Sequence, residues 1–184
     1  MSDAITADIS AGTWTIDPAH SEVGFSVRHL MVSKVKGTFK AFKGDIVISE
    51  DSSQVSIDVT VDIASVHTAE DTRDNHLRSS DFFSAEEFPH MTYKGTSVTR
   101  TGNDYKVDGE LTIRGVTRPV TLAVELNGVG PDPWGGTRAG FSAETAISRK
   151  DFGIDIDMPL DGGGVVVGDR ITVTLEVEAV LQQG

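Results

Sequence analysis

At 184 residues with a formal net charge of −12 and a sequence pI near 4.7, the chain has the length of one domain. Its acidic balance repels phosphate backbones and anionic lipid surfaces, so neither nucleic acid nor membrane adhesion through a basic patch is expected. The absence of cysteine excludes disulfides and thiolate metal sites.

Residues 1–11 read as a flexible N-terminal tail and 12–184 as one β-barrel domain. The tail has Asp3 and Asp8, no Lys or Arg, and no apolar run of signal-peptide length, so the expectation is a cytoplasmic protein with no integral membrane segment. Regular structure is expected from Thr13, with Trp14 and Ile16 on one side and Pro18 ending or bending the segment. From Glu22, Val23, Phe25 and Val27 alternate with Glu22, Ser26 and Arg28, the pattern of a half-buried strand. Residues 35–49 continue in that style, with Gly37 and Gly44 read as bulges or bends. Val55, Ile57, Val59, Val61 and Ile63 alternate with Ser56, Asp58, Thr60 and Asp62, which is the strongest strand signal in the chain.

Residues 71–95 interrupt this β pattern. Thr68 reads as an N-cap with Glu70 and Asp71 in the first turn of a short helix, on which Asp74 and Arg78 are spaced to pair and Ala69, Arg73 and Leu77 share the other face. Phe82, Phe83 and Phe88 follow, and Pro89 turns the chain into a strand near His90. A meander closes the sequence: strands at Tyr93, then Tyr105 to Ile113, then Val120 to Leu126, the Gly/Pro-rich GVGPDPWGG, a strand over 138–149, and a last one with Ile171, Val173, Leu175 and Val177 on one side. One dry face per strand and no second helical layer leave a barrel or a sandwich. About eight strands joined mainly as hairpins favour an all-β, eight-stranded antiparallel up-and-down barrel with one short helical excursion, able to hold a small ligand.

Recognisable chemistry is sparse. His20, His29, His67, His76 and His90 stand in no metal-ligand spacing. GFSAE at 140–144 lacks the last glycine of a nucleophile elbow, and GGVVVGD at 163–169 puts Asp169 and Arg170 where a phosphate loop needs Lys and Ser or Thr. Asp155, Asp157 and Asp161 fail the EF-hand pattern at Leu160 and Val166. No catalytic residue, metal or cofactor is assigned. The Phe-rich segment reads equally as a lid over a barrel mouth or as a plug, and Arg73, His76 and Arg78 are placed to meet an anionic or polar headgroup.

Five stretches then carry a resemblance: WTIDPAHSEVGFSVRHL at 14–30, KGTFKAFKGDI at 36–46, TRDNHLRSSDFFSAEEFP at 72–89, DGELTIRGVTRPV at 108–120 and ISRKDFGI at 147–154. Together they resemble the YceI-like family, most specifically in D-x-H-L-R-S-x-D-F-F followed by proline. The resemblance implies a lipocalin-like eight-stranded barrel whose apolar pore binds polyisoprenoid or similar long amphiphiles, often as a homodimer. It implies Phe25, Phe39, Leu77, Phe82, Phe83 and Leu111 as pocket or mouth residues. The expected function is binding, carriage or sequestration of a polyisoprenoid, isoprenoid quinone or similar lipid. The alternative is an isomerase or hydrolase using Tyr93, His90 or Glu110 as acid and base, and a purely structural protein comes third.

Overall fold

A computed structural model of the chain describes residues 9–30, 32–102, 104–156 and 167–183. The first three barrel strands each come in two pieces. β1 (Gly12–Ile16) and β2 (Glu22–His29) are separated by the 3₁₀ turn Pro18–His20, where the Asp17 carboxylate accepts the Ala19 N–H and Pro18 removes a ladder donor. β3 (Ser33–Phe39) and β4 (Phe42–Ile48) break at Lys40 and Ala41, and β5 (Val55–Asp62) and β6 (Val66–His67) at the 3₁₀ turn Ile63–Ser65. The helix α1 (Asp71–Arg78) follows, and then β7 (His90–Thr101), β8 (Asp104–Ile113), β9 (Val116–Pro131), β10 (Thr137–Ser148) and β11 (Val167–Leu181).

The sheet runs β1, β4, β5, β7, β8, β9, β10, β11 and back to β1, every pairing antiparallel. This is a closed eight-stranded, lipocalin-like barrel. The sandwich alternative falls because the two would-be edges are joined, with Trp14 paired to Leu181. At one end the ring is incomplete: β2 runs on beside β11, β3 pairs with β2, and β6 pairs only with Thr38 and Phe39 of β3. Beyond Asp62, which still pairs with His90, no ladder among the described residues joins β6 to β7, and α1 with residues 79–89 fills that gap. This is the lid end.

Several local expectations are corrected. Gly37 and Gly44 do not bend the chain but lie inside strands, where a Cβ at Gly37 would collide with the Phe25 ring and one at Gly44 with the Asp58 carbonyl oxygen. Ile9, in the stretch read as a tail, is buried against Trp14, whose indole N–H donates to the Ser10 carbonyl at 2.9 Å. Residues 1–8, 103 and 157–166 lie outside the described residues, and with them Asp157, Leu160, Asp161 and most of the GGVVVGD stretch. The β8–β9 hairpin turns on Arg114 and Gly115, both at positive φ (53° and 74°), and the Phe88 ring packs where a Gly115 Cβ would sit. No helix among the described residues is long and apolar enough to cross a membrane.

Candidate functional site

Strand alternation sends one side chain in two to the interior, and here they enclose a cavity of about 280 Å³. Trp14, Ile48, Ala139 and Ala179, with Ile9 against them, close the far end. Phe82, Ile113, Phe152 and Ile154 pack together at the lid end. Between them the wall is built of residues such as Val23, Ile57, Val59, Val107, Leu122 and Leu175. Polar side chains on this wall are few. The Tyr93 hydroxyl donates to the Val120 carbonyl at 2.9 Å, and burial, with the Asp108 charge nearby, pushes its pKa up to about 12. Arg149 is 4 % exposed and turns its guanidinium into the wall, donating to the carbonyls of Ile154, Gly168 and Val167 at 2.7, 3.0 and 3.1 Å. Such a site offers dispersion and desolvation to an apolar chain and little to a charge.

The lid is hydrogen-bonded in place. Glu70, not Thr68, caps α1, its carboxylate accepting the N–H groups of Thr72 and Arg73. Thr68 instead sits in a relay in which its hydroxyl and N–H donate to the buried Asp74 carboxylate while its own oxygens accept from Arg73. Asp74 and Arg78 therefore do not pair. Arg78 reaches across to the carbonyls of Ala64 and Val66 at 2.9 and 3.2 Å, tying the helix to the 3₁₀ turn after β5 and to the start of β6. Ala69 precedes the helix at φ 64° and shares no face with Leu77. Arg114 ties residue 80 to residue 153, donating to the Ser80 and Gly153 carbonyls at 2.9 and 3.1 Å.

The aliphatic and aromatic site residues named from sequence, Phe25, Phe39, Leu77, Phe82, Phe83 and Leu111, all line the cavity. Phe25 and Phe39 meet at a tilt of 43° with 5.6 Å between ring centroids, and Phe83 meets Phe39 edge-on at 5.8 Å, so one aromatic chain runs from β2 into the lid. Arg73 and His76 are not on the wall. Arg73 is held by Thr68, and His76 contacts Asp81 at 2.9 Å and sets its ring edge-on to Phe82. The residues of D-x-H-L-R-S-x-D-F-F thus build the lid: Asp74, His76, Arg78 and Ser79 wire it, while Leu77, Phe82 and Phe83 face the cavity. Trp14, Arg149, Phe152 and Ile154 were not singled out from sequence as site residues. Their signal was the ISRKDFGI run and the opening tryptophan, but burial of an arginine by backbone carbonyls leaves no periodic trace.

On the outside, Asp17, His20 and Glu178 lie close enough to share a cation. Arg138 already supplies it, with Nη1 at 2.8 Å from Asp17 and 3.0 Å from Glu178, and Nε at 3.0 Å from Asp132. The hydrogen bond from Arg138, then that from His20, lowers the Asp17 pKa to about 2. This cluster fixes the Pro18–His20 turn and does not reach the cavity.

Comparison with known proteins places the site in context. The YceI-like domain pattern matches residues 14–179. Protein YceI of Escherichia coli O17:K52:H18 is 45 % identical over 140 residues, covering 76 % of this chain and 73 % of that one. The crystal structure of Burkholderia cenocepacia BcnA superposes with a TM-score of 0.76 at 23 % identity, over 89 % of this chain and 98 % of that one. A polyisoprenoid binding domain from Saccharophagus degradans, implicated in plant cell wall breakdown, gives a TM-score of 0.67 at 16 % identity, over 92 % and 98 % of the two chains. Both superpositions are likenesses of fold.

Proposed function

This chain belongs to the YceI-like family, and from that premise we propose that its barrel binds and carries, or sequesters, a long apolar amphiphile: a polyisoprenoid, an isoprenoid quinone or a similar lipid. The observation that carries the reading is the cavity wall, apolar from Trp14 to Phe83, in which the buried Arg149 donates to backbone carbonyls. The name of the Saccharophagus degradans domain supports the ligand class. Phe25, Phe39, Leu77, Phe82, Phe83 and Leu111 are the residues proposed to touch the chain of the ligand.

Chemistry by acid and base finds little support. His90 and Glu110 are exposed, and the Tyr93 proton is held by the Val120 carbonyl on a phenol that ionises only near pH 12. A catalytic pair needs both groups within reach of one substrate atom. The test is organic extraction of protein purified without detergent, followed by mass spectrometry. A single lipid class near one equivalent is the expected result, and protein that yields no apolar compound, and takes none up when offered polyprenols, overturns the proposal.

A further inference from the structure

The net charge of −12 is unevenly distributed. The register of the β2–β3 hairpin sets Arg28 directly opposite Lys34 and Ser26 opposite Lys36. On the other flank the register of β11 shifts between Val167, opposite His29, and Ile171, opposite Val27, so that Gly168 packs against Arg28 and Arg170 lies in the same bulged stretch. All four cations are exposed on the outer face, because Phe25 and Val27 between them point into the cavity. Like charges facing each other across strands destabilise a sheet. Among the described residues none of the four has an ion pair or side-chain hydrogen bond to relieve this, and the neighbouring Asp169 is taken up by Ser148 and the Lys150 N–H. With a screening length of about 8 Å at physiological salt, acids elsewhere on the barrel do not cancel such a patch.

The tip of the same hairpin is apolar. Leu30, at φ 53°, is 40 % exposed and Val32 is 83 % exposed, in a position where turns ordinarily carry polar residues. We propose that this hairpin is a docking element for an anionic lipid bilayer, Leu30 and Val32 entering the headgroup boundary while Arg28, Lys34, Lys36 and Arg170 meet lipid phosphates. An apolar tip collared by cations combines the two attractions that hold peripheral proteins at a membrane. A second copy of the chain fits this surface poorly. The edge of β3 over residues 33–37, unpaired among the described residues, would have to pair with an identical edge and bring Lys34 and Lys36 against each other. The hairpin lies at the lid end, linked to the lid through Phe25, Phe39 and Phe83, so docking presents that end of the cavity to the bilayer. The docking itself does not depend on the cavity being filled.

Flotation with vesicles tests this on the full chain. Vesicles of phosphatidylcholine mixed with phosphatidylglycerol should carry the protein up the gradient, and phosphatidylcholine alone should not. Lys34→Ala and Lys36→Ala should each lower the partition coefficient about fivefold, and Val32→Ser about tenfold. Lys106→Ala, on the opposite side of the barrel beside Asp108, should leave it unchanged. Circular dichroism confirms that each variant is folded. Absence of flotation with the mixed vesicles, equal flotation with both kinds, or a dimer in solution that Lys34→Glu abolishes would each overturn the proposal. Lipid found by extraction bears on the cargo reading alone, and flotation of delipidated protein on the docking alone.

Discussion

If an apolar chain fills the barrel, affinity must follow its length in a way the cavity sets. At about 24 cal/mol per Å³, filling a void of about 280 Å³ contributes about 7 kcal/mol, equivalent to about nine methylenes at about 0.8 kcal/mol each. Association costs at least about 4 kcal/mol, so roughly the first five methylenes only offset that cost. Affinity should then rise about fourfold per carbon until the void is filled, and further gain requires Leu77 and Phe83 to give way. Replacing Val107, 4 % exposed at mid-barrel, by Phe shortens the cavity and should move the plateau to a shorter chain, at about 1–3 kcal/mol of stability. Phe83→Ala should move it to a longer one. The assay is built into the chain: Trp14 lines the cavity at 1 % exposed, whereas Trp134 is 78 % exposed. In a Trp134→Phe background the remaining indole reports occupancy during titration with alcohols of graded length. Affinity that is flat across the series, or a plateau that neither substitution moves, refutes the reasoning.

Other expectations follow from single contacts. Phe83→Ala should speed ligand release in stopped-flow measurements by more than it lowers the melting temperature, and a loss of about 3–5 kcal/mol with unchanged release would mark the ring as a plug. Asp74→Ala strands the Thr68 N–H and hydroxyl and should cost about 3 kcal/mol in urea denaturation, with faster amide exchange in α1; a change under about 0.5 kcal/mol would contradict the relay. Asp17 titrates at about 2 in the fold against an ordinary 3.8, so its contribution is full above about pH 4 and is lost as pH falls toward 2. Arg138→Gln should therefore destabilise the protein at neutral pH and flatten that part of the acid limb, and superimposable acid-unfolding curves would rule this out.

The barrel was legible because its strands are amphipathic with period two, and Val55 to Val61 or Val120 to Leu126 can bury a face in only one register. Of the strand breaks, Pro18 marked the first and the second left no such mark. Phe39-Lys40-Ala41-Phe42 contains neither glycine nor proline, and the glycines nearby were chosen by what packs against them, Phe25 over Gly37. In the lid the helix and its aromatic end could be read, but its wiring could not. Asp74 and Arg78 are spaced to pair, and each finds a stronger partner outside the helix, at Thr68 and at the carbonyls of Ala64 and Val66. Arg73 and His76 were assigned to a headgroup because charges on a short helix say nothing about what folds beneath them. Overall charge hides local contrast for a related reason: it sums over the surface and does not register that Arg28, Lys34 and Lys36 share one hairpin.

Joining Trp14 to Leu181 also has a consequence for synthesis. At about 5–20 residues per second the ribosome takes roughly 8–30 s to travel from one to the other. Throughout that interval β1 to β10 exist without the strand that closes them, and their inward valines and phenylalanines face the cytosol, the translocation machinery or a chaperone. Hairpins of local sequence, such as β2 with β3, can form within microseconds of emerging, but an open sheet has two edges able to recruit another nascent chain. Polysomes, on which identical unfinished chains sit side by side, are therefore where this protein is most exposed to aggregation. A silent codon change that slows translation just before residue 167 should lower its soluble yield while leaving the finished molecule identical.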